Sequence, residues 1–348
     1  MTWQAPNIEP ISSAYDDRLM AVINNKTKPL NSLGKLEQLA FALGRIQQTR
    51  RPKVAPAAHI VFAADHGVVA SGVSAFPQEV TQQMVANFAN GGAAINVFCR
   101  QHDITLEVMD VGVKGDISAI QGVAHAKVAH GTNNFLHEPA MTSSDCQAAL
   151  MLGGARVTHL LNSGIKCFSF GEMGIGNTTS ATALLTKLHQ LDVATATGRG
   201  TGVDDAGLQR KQQVIEQALA RLPEQISPFE LLCEVGGLEI AALTGAMLTA
   251  AAANVPFIVD GIIATAAVSV AAAMAPNMIE RAIFAHQGAE PGHQLALQAL
   301  NAQPLLHLDL ALGEGTGAVL AWPLLQSACL MMREMASFAD AGVSEQNA

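Results

Sequence analysis

The chain has 348 residues and a formal charge of −9, with 49% hydrophobic and 14% charged residues. Such a balance excludes a disordered chain or a coiled coil. With no cluster of Lys and Arg it also argues against a nucleic-acid binder, which carries a basic stripe. The length suits one large domain with a small satellite, at roughly 100–200 residues per domain.

The N-terminus, MTWQAPNIEP, has no basic region followed by an apolar stretch, so no signal peptide is expected. The five cysteines (Cys99, Cys146, Cys167, Cys233, Cys329) are scattered with no C-x-x-C pair. They read as reduced, buried thiols of a cytoplasmic protein, without a disulfide framework or a thiolate zinc site. Leu33, Leu36, Leu39, Ala40 and Leu43 recur at helical spacing, and Ser32 is placed to cap that helix.

From residue 57 onward short apolar runs alternate with helical stretches: HIVFAA (59–64), ITLEVM (104–109), KCFSF (166–170), PFIV (256–259), RAIFA (281–285) and LLHLDL (305–310). Buried parallel strands read as continuous apolar runs, and helices between them imply crossovers. An α/β sheet with helices on both faces is predicted. Five of the runs are followed by acids, imidazoles or glycines: Asp65-His66, Asp110, Gly171-Glu172, Asp260-Gly261 and His286. Open α/β sheets bind ligands outside the carboxyl ends of their strands, so these ends are expected to converge on one site. Polar turn residues end many strands, which is the plainer alternative. Asp65-His66 invites a metal, but no partner stands at ligand spacing, and none is expected.

Three glycine loops follow. Gly171-Glu172-Met173-Gly174-Ile175-Gly176 leads into Asn177-Thr178-Thr179-Ser180 and a helix to about Leu191. It offers either N–H groups to an anion or an ordinary capped helix. Gly198-Arg199-Gly200-Thr201-Gly202, with Lys211 beyond it, would suit a phosphate, or Lys211 is a solvated helix charge. Gly313-Glu314-Gly315-Thr316-Gly317 displays one carboxylate between glycines, either as a general base or as a charge at a helix N-terminus.

The uncharged stretch Ile240–Val259 matches a membrane span in length. Its seven alanines, Asn254 and Pro256 instead suggest a buried helix (about 238–252) and a strand (255–259), so no membrane association is expected. Ala318–Phe338 reads as a long helix kinked or broken by Pro323, and Ala339–Ala348 as a frayed tail.

Seven stretches, in order and spanning nearly the whole chain, resemble the nicotinate-nucleotide–dimethylbenzimidazole phosphoribosyltransferases: KPLNSLGKLEQLA (28–40), ADHGVVASGVSAFPQEVT (64–81), GGAAINV (91–97), GEMGIGNTTSATALL (171–185), EVGGLEIAALTGAML (234–248), VDG (259–261) and LGEGTGAVLAWPLL (312–325). One departure is Asn31, where that family usually has Gly. The resemblance implies transfer of phosphoribose from nicotinate mononucleotide to 5,6-dimethylbenzimidazole with inversion at the anomeric carbon. It implies Glu314 as general base and Glu172 as a second site carboxylate. Phosphate is expected near Gly174, Gly200 and Lys211, ribose near Asp260, and the aromatic base among Phe76, Met84, Met173 and Leu312. Gln83, Asn177, Thr178 and Gly198 complete the expected substrate-binding positions. The fold implied is a Rossmann-like parallel sheet flanked by helices (51–317), with a small helical domain from both chain ends (1–50 and 318–348). A cytoplasmic homodimer using small-molecule substrates and no cofactor is expected.

Two rivals fit less well. A dinucleotide oxidoreductase needs G-x-G-x-x-G after its first strand, where this chain has Asp65-His66-Gly67. A non-catalytic nucleotide binder has no use for Glu314 and Glu172.

Overall fold

The computed structural model describes residues 3–200 and 202–344; Thr201 and residues 345–348 of the expected tail lie outside the described residues. Strands β1 (Ala57–Ala64), β2 (Thr105–Gly112), β3 (Val123–His125), β4 (Cys167–Met173), β5 (Phe257–Val259) and β6 (Ala282–Phe284) form one sheet in the order β3-β2-β1-β4-β5-β6. Every pairing in it is parallel. All eight residues of β1 are buried. Alternation sends Ala58, Ile60, Phe62 and Ala64 into one apolar cluster and Ala57, Val61 and Ala63 into the other.

The first cluster is covered by the helices Ser143–Asn162, Asn177–His189, Leu238–Ala252 and Ile262–Met274. Small residues set their spacing: a Cβ at Gly245 would lie 2.0 Å from the Leu150 carbonyl oxygen. The second cluster joins the chain ends. Leu19, Ile23, Leu43 and Ile46 from helices Asp16–Asn24 and Lys35–Ile46 pack with Trp322, Leu325 and Met332 of helix Trp322–Glu334, in one cluster with Val61 of the sheet.

Several elements differ from expectation. Helix Lys35–Ile46 begins after Gly34, not at Ser32, and Glu37 in its first turn reaches back to accept the Leu33 N–H at 2.9 Å. Gly176, in the left-handed region, precedes helix Asn177–His189, so that helix has no side-chain cap. The 305–310 run yields only β8 (Leu306–His307), paired with β7 (His286–Gln287) outside the main sheet. Asp309, at φ 52, turns the chain away. The terminal helix divides into Thr316–Leu320 and Trp322–Glu334, with Pro323 in the first turn of the second. The tail opens as a capped turn, Phe338–Ala341, where Ser337 and Asp340 bond each other's N–H groups. As expected, Ile240–Val259 runs through nearly all of helix Leu238–Ala252, a turn and β5. No helix among the described residues is long and apolar enough to cross a membrane.

Candidate active site

The sheet order reverses between β1 and β4, and a cavity of about 250 Å³ lies beside that point, at the carboxyl ends of β4 and β5. Three of the five expected strand ends meet there: Gly171-Glu172, Asp260-Gly261 and His286. The other two do not. Asp110 accepts the N–H groups of Gly112 and Val113. Asp65 accepts that of Lys114 at 2.7 Å, and His66 is buried between Ser180 Oγ (3.0 Å) and Glu239 Oε1 (2.5 Å). These side chains are consumed in holding the loops behind the cavity.

Glu314 enters the cavity from a turn in which Gly313, Glu314 and Gly315 all have positive φ (87, 61 and 82). Glycine takes that conformation freely and a Glu does not, so the flanking glycines place the strain on one residue. Its Oε2 accepts the Ile95 N–H at 3.1 Å, in the first turn of helix Ala94–Gln101. Burial raises its pKa above the usual carboxyl value; the Ile95 bond opposes the rise and the charge of Asp260 adds to it.

Glu172 and Asp260 face the same space. Burial, and then the charges of Glu239 and Asp260, push Glu172 up to about 8, against a hydrogen bond from the Asn177 amide. Asp260 Oδ1 accepts the Ala318 N–H at 2.9 Å and lies 3.4 Å from His286 Nε2. Burial lowers the His286 pKa, but the bond and charge of Asp260 more than offset it, and the net shift is upward.

Phe76, Val80, Met84, Met173 and Leu312 form an apolar side, with Phe76 and Leu312 well exposed at the mouth. Gly174, Asn177, Thr178 and Gly200 also line the cavity. Lys211 is not a solvated helix charge: it is 1% exposed, and its Nζ donates to Thr178 Oγ1 (2.8 Å) and to the Gly198 carbonyl (3.2 Å). Desolvation brings its pKa down to about 8, against the charge of Glu290. Lys211 and Gly198 therefore sit behind the lining, next to Thr178 and Gly200. Gln83 is exposed beside Met84 and does not line the cavity, because helix Glu79–Ala89 turns Val80 and Met84, one turn apart, toward it.

Sequence reasoning missed His59, Ser169 and Ile95 as parts that hold this site. The signal for His59 was an imidazole opening an apolar run. For Ile95 it was the glycine pair ahead of a helix.

A family described as Phosphoribosyltransferase matches residues 8–343 of the chain. The nicotinate-nucleotide–dimethylbenzimidazole phosphoribosyltransferase of Cupriavidus necator is 51% identical over 341 residues, which is 98% of this chain and 99% of that one. The protein of the same name from Aromatoleum aromaticum is 50% identical over 324 residues, 93% and 94% of the two chains. The crystal structure of CobT from Thermus thermophilus matches with a TM-score of 0.92 and 45% identity, over 95% of this chain and 99% of that one. With a parallel sheet of the expected kind and near-complete coverage, the chain is an enzyme and belongs to the nicotinate-nucleotide–dimethylbenzimidazole phosphoribosyltransferase family.

Proposed function

We propose that the chain transfers the phosphoribosyl group of nicotinate mononucleotide to 5,6-dimethylbenzimidazole, giving α-ribazole 5′-phosphate and nicotinate, with Glu314 as general base and inversion at the anomeric carbon. The names of its relatives support the substrates. The observation that supports the assignment of the base is the setting of Glu314: a partly desolvated carboxylate, held by the Ile95 N–H and displayed beside the apolar side of the cavity.

The glycosidic nitrogen of the nucleotide belongs to a cationic pyridinium, so nicotinate leaves without being protonated. The incoming benzimidazole is neutral. Attack through one ring nitrogen builds positive charge unless the other nitrogen gives up its proton, and a carboxylate within about 2.6–3.2 Å takes it. Attack opposite the leaving group converts a β-linkage into an α-linkage. The apolar side suits a flat aromatic acceptor. The glycine turn Gly174–Gly176 and helix start Asn177–Thr178, with the Lys211 ammonium behind them, suit a phosphate. Asp260 is left for the ribose, and Glu172 for positive charge developing on the sugar. In the same reading residues 1–50 and 318–348 form a small helical domain on a catalytic domain of 51–317, in a cytoplasmic homodimer.

The test is incubation with both substrates and chromatography for nicotinate and α-ribazole 5′-phosphate, in parent and Glu314→Gln. The variant is expected to lose turnover by about 10²–10⁴-fold, the usual worth of a general base. It should keep its affinity for dimethylbenzimidazole, because the amide preserves the shape. Near-parental turnover would remove Glu314 from the role, and a β-linked product would refute inversion.

A further inference from the structure

We propose that His59 is a positioning residue for Glu314: its Nε2–H grips the Glu314 carbonyl and so fixes the left-handed turn that delivers the carboxylate. The inference rests on the reading of Glu314 as base.

His59 is fully buried on β1, on the face that looks toward the Glu314 turn. Its Nε2 lies 2.9 Å from the Glu314 carbonyl oxygen and its Nδ1 2.7 Å from Ser169 Oγ on β4. A carbonyl only accepts, so Nε2 carries the proton. Burial holds the ring neutral, with its pKa lowered to about 4, against the opposing influence of the Glu314 bond and Asp260. Nδ1 is therefore bare and accepts the Ser169 hydroxyl proton, and the tautomer is set from both sides.

The ring and the carbonyl meet in close packing. A Cβ at Gly315 would come 2.1 Å from His59 Cε1, and one at Gly171 would come 2.0 Å from the Glu314 carbonyl oxygen. Two glycines thus clear the space in which imidazole and peptide meet. Glu314 holds a backbone conformation that is costly for a non-glycine residue, at φ 61, and such a conformation persists only where the surroundings enforce it. Thr316 bonds the preceding Gly313 carbonyl through its Oγ1 (2.9 Å) and its N–H, whereas the only side-chain hydrogen bond to the Glu314 carbonyl among the described residues comes from His59. If that grip is lost, the turn relaxes and the carboxylate leaves the Ile95 N–H.

The test compares His59→Leu, His59→Gln, Glu314→Gln and the His59→Leu/Glu314→Gln double variant in the full chain, with nicotinate mononucleotide and dimethylbenzimidazole. His59→Leu should lower kcat by about 10²-fold, the cost of an ångström-scale misplacement, at an unchanged KM for the nucleotide. The acid limb of its kcat profile should move to higher pH, because a Glu314 that loses the Ile95 N–H holds its proton more tightly. His59→Gln, whose amide N–H reaches about as far as Nε2, should restore most of the turnover and the parental limb. In the Glu314→Gln background, His59→Leu should cost nothing more. Parental kcat in His59→Leu, an unmoved acid limb, or a further loss in the double variant would overturn the proposal. Should His59→Leu not fold, ¹H–¹⁵N correlation on the parent decides: a proton on Nε2 with Nδ1 bare supports the grip, and a proton on Nδ1 overturns it. Parental turnover in Glu314→Gln alone would instead sink the reading of the base and leave the tautomer result standing.

Discussion

Glu172, Asp260 and Glu314 share one small cavity, and three carboxylates so close do not all ionise without cost. Glu172 is raised first by burial and then by the charges of Glu239 and Asp260, with Glu314 adding least. With its pKa at about 8 it is protonated at neutral pH in the empty site. The pyridinium nitrogen at the glycosidic end of nicotinate mononucleotide is positive, and placed beside Glu172 it favours the ionised form. Binding of nicotinate mononucleotide at pH 7 should therefore release protons from Glu172, which on the proposed reading would meet the developing sugar cation as a carboxylate. Titration calorimetry in buffers of different ionisation enthalpy measures this release, which should be smaller in Glu172→Gln. Equal release in both proteins would exclude Glu172 as the source. Glu314 and Glu172 were legible in the sequence because glycines display one and a strand end presents the other. His59 was not, since an imidazole in an apolar run reads as core and its two partners stand 110 and 255 residues away along the chain. Asn31 shows the reverse case. Its φ of 60 lies in the left-handed region, which Asn tolerates, so the departure from the Gly usual in the family is compatible with the turn.

At the level of elements, helix Asp205–Ala220 supplies the cavity with a buried cation through Lys211, and the first turn of helix Asn177–His189 separates that cation from the substrate space. Lys211→Ala should weaken binding of nicotinate mononucleotide and leave dimethylbenzimidazole binding unchanged. Equal nucleotide affinity in variant and parent, by calorimetry, would remove Lys211 from phosphate recognition. A lysine is charged below its pKa, so the parent's nucleotide affinity should decline as pH rises through about 8, and this decline should be absent from the variant. The strands β1 and β4 were legible because they are buried almost throughout and mostly apolar, and β2 because its second half is buried although Thr105 is exposed and Leu106 and Glu107 are only half-buried. β3 was not, since two of its three residues are exposed and leave no pattern. Ser32 is not the cap: the helix begins after Gly34, Glu37 reaches back from inside it, and nothing in the spacing of apolar residues records either.

At the level of the whole molecule, the site's buried titratable groups act against stability at opposite ends of the pH scale. His59 and His293 have pKa values lowered from 6.5 to about 4, chiefly by burial. Between those values the folded chain binds fewer protons than the unfolded one, so their contribution is present above 6.5 and is lost as pH falls toward 4. Glu172, raised from 4.5 to about 8, does the opposite: the folded chain binds more protons, and stability falls as pH rises through that window. Asp65 and Glu314 are also raised by burial and add to the alkaline-side loss. The imidazoles His59 and His293 weaken the fold on the acid side, while Glu172, helped by the raised His286, weakens it on the alkaline side, which puts the optimum for the substrate-free protein between about pH 4 and 8. Calorimetric melts across that range should show Tm falling on both sides of the optimum. Glu172→Gln should flatten the alkaline side alone, because the amide has no proton to lose. If both sides flatten together, the variant has loosened the sheet edge rather than removed one titration. If neither changes, Glu172 is not the group that weakens the fold as pH rises.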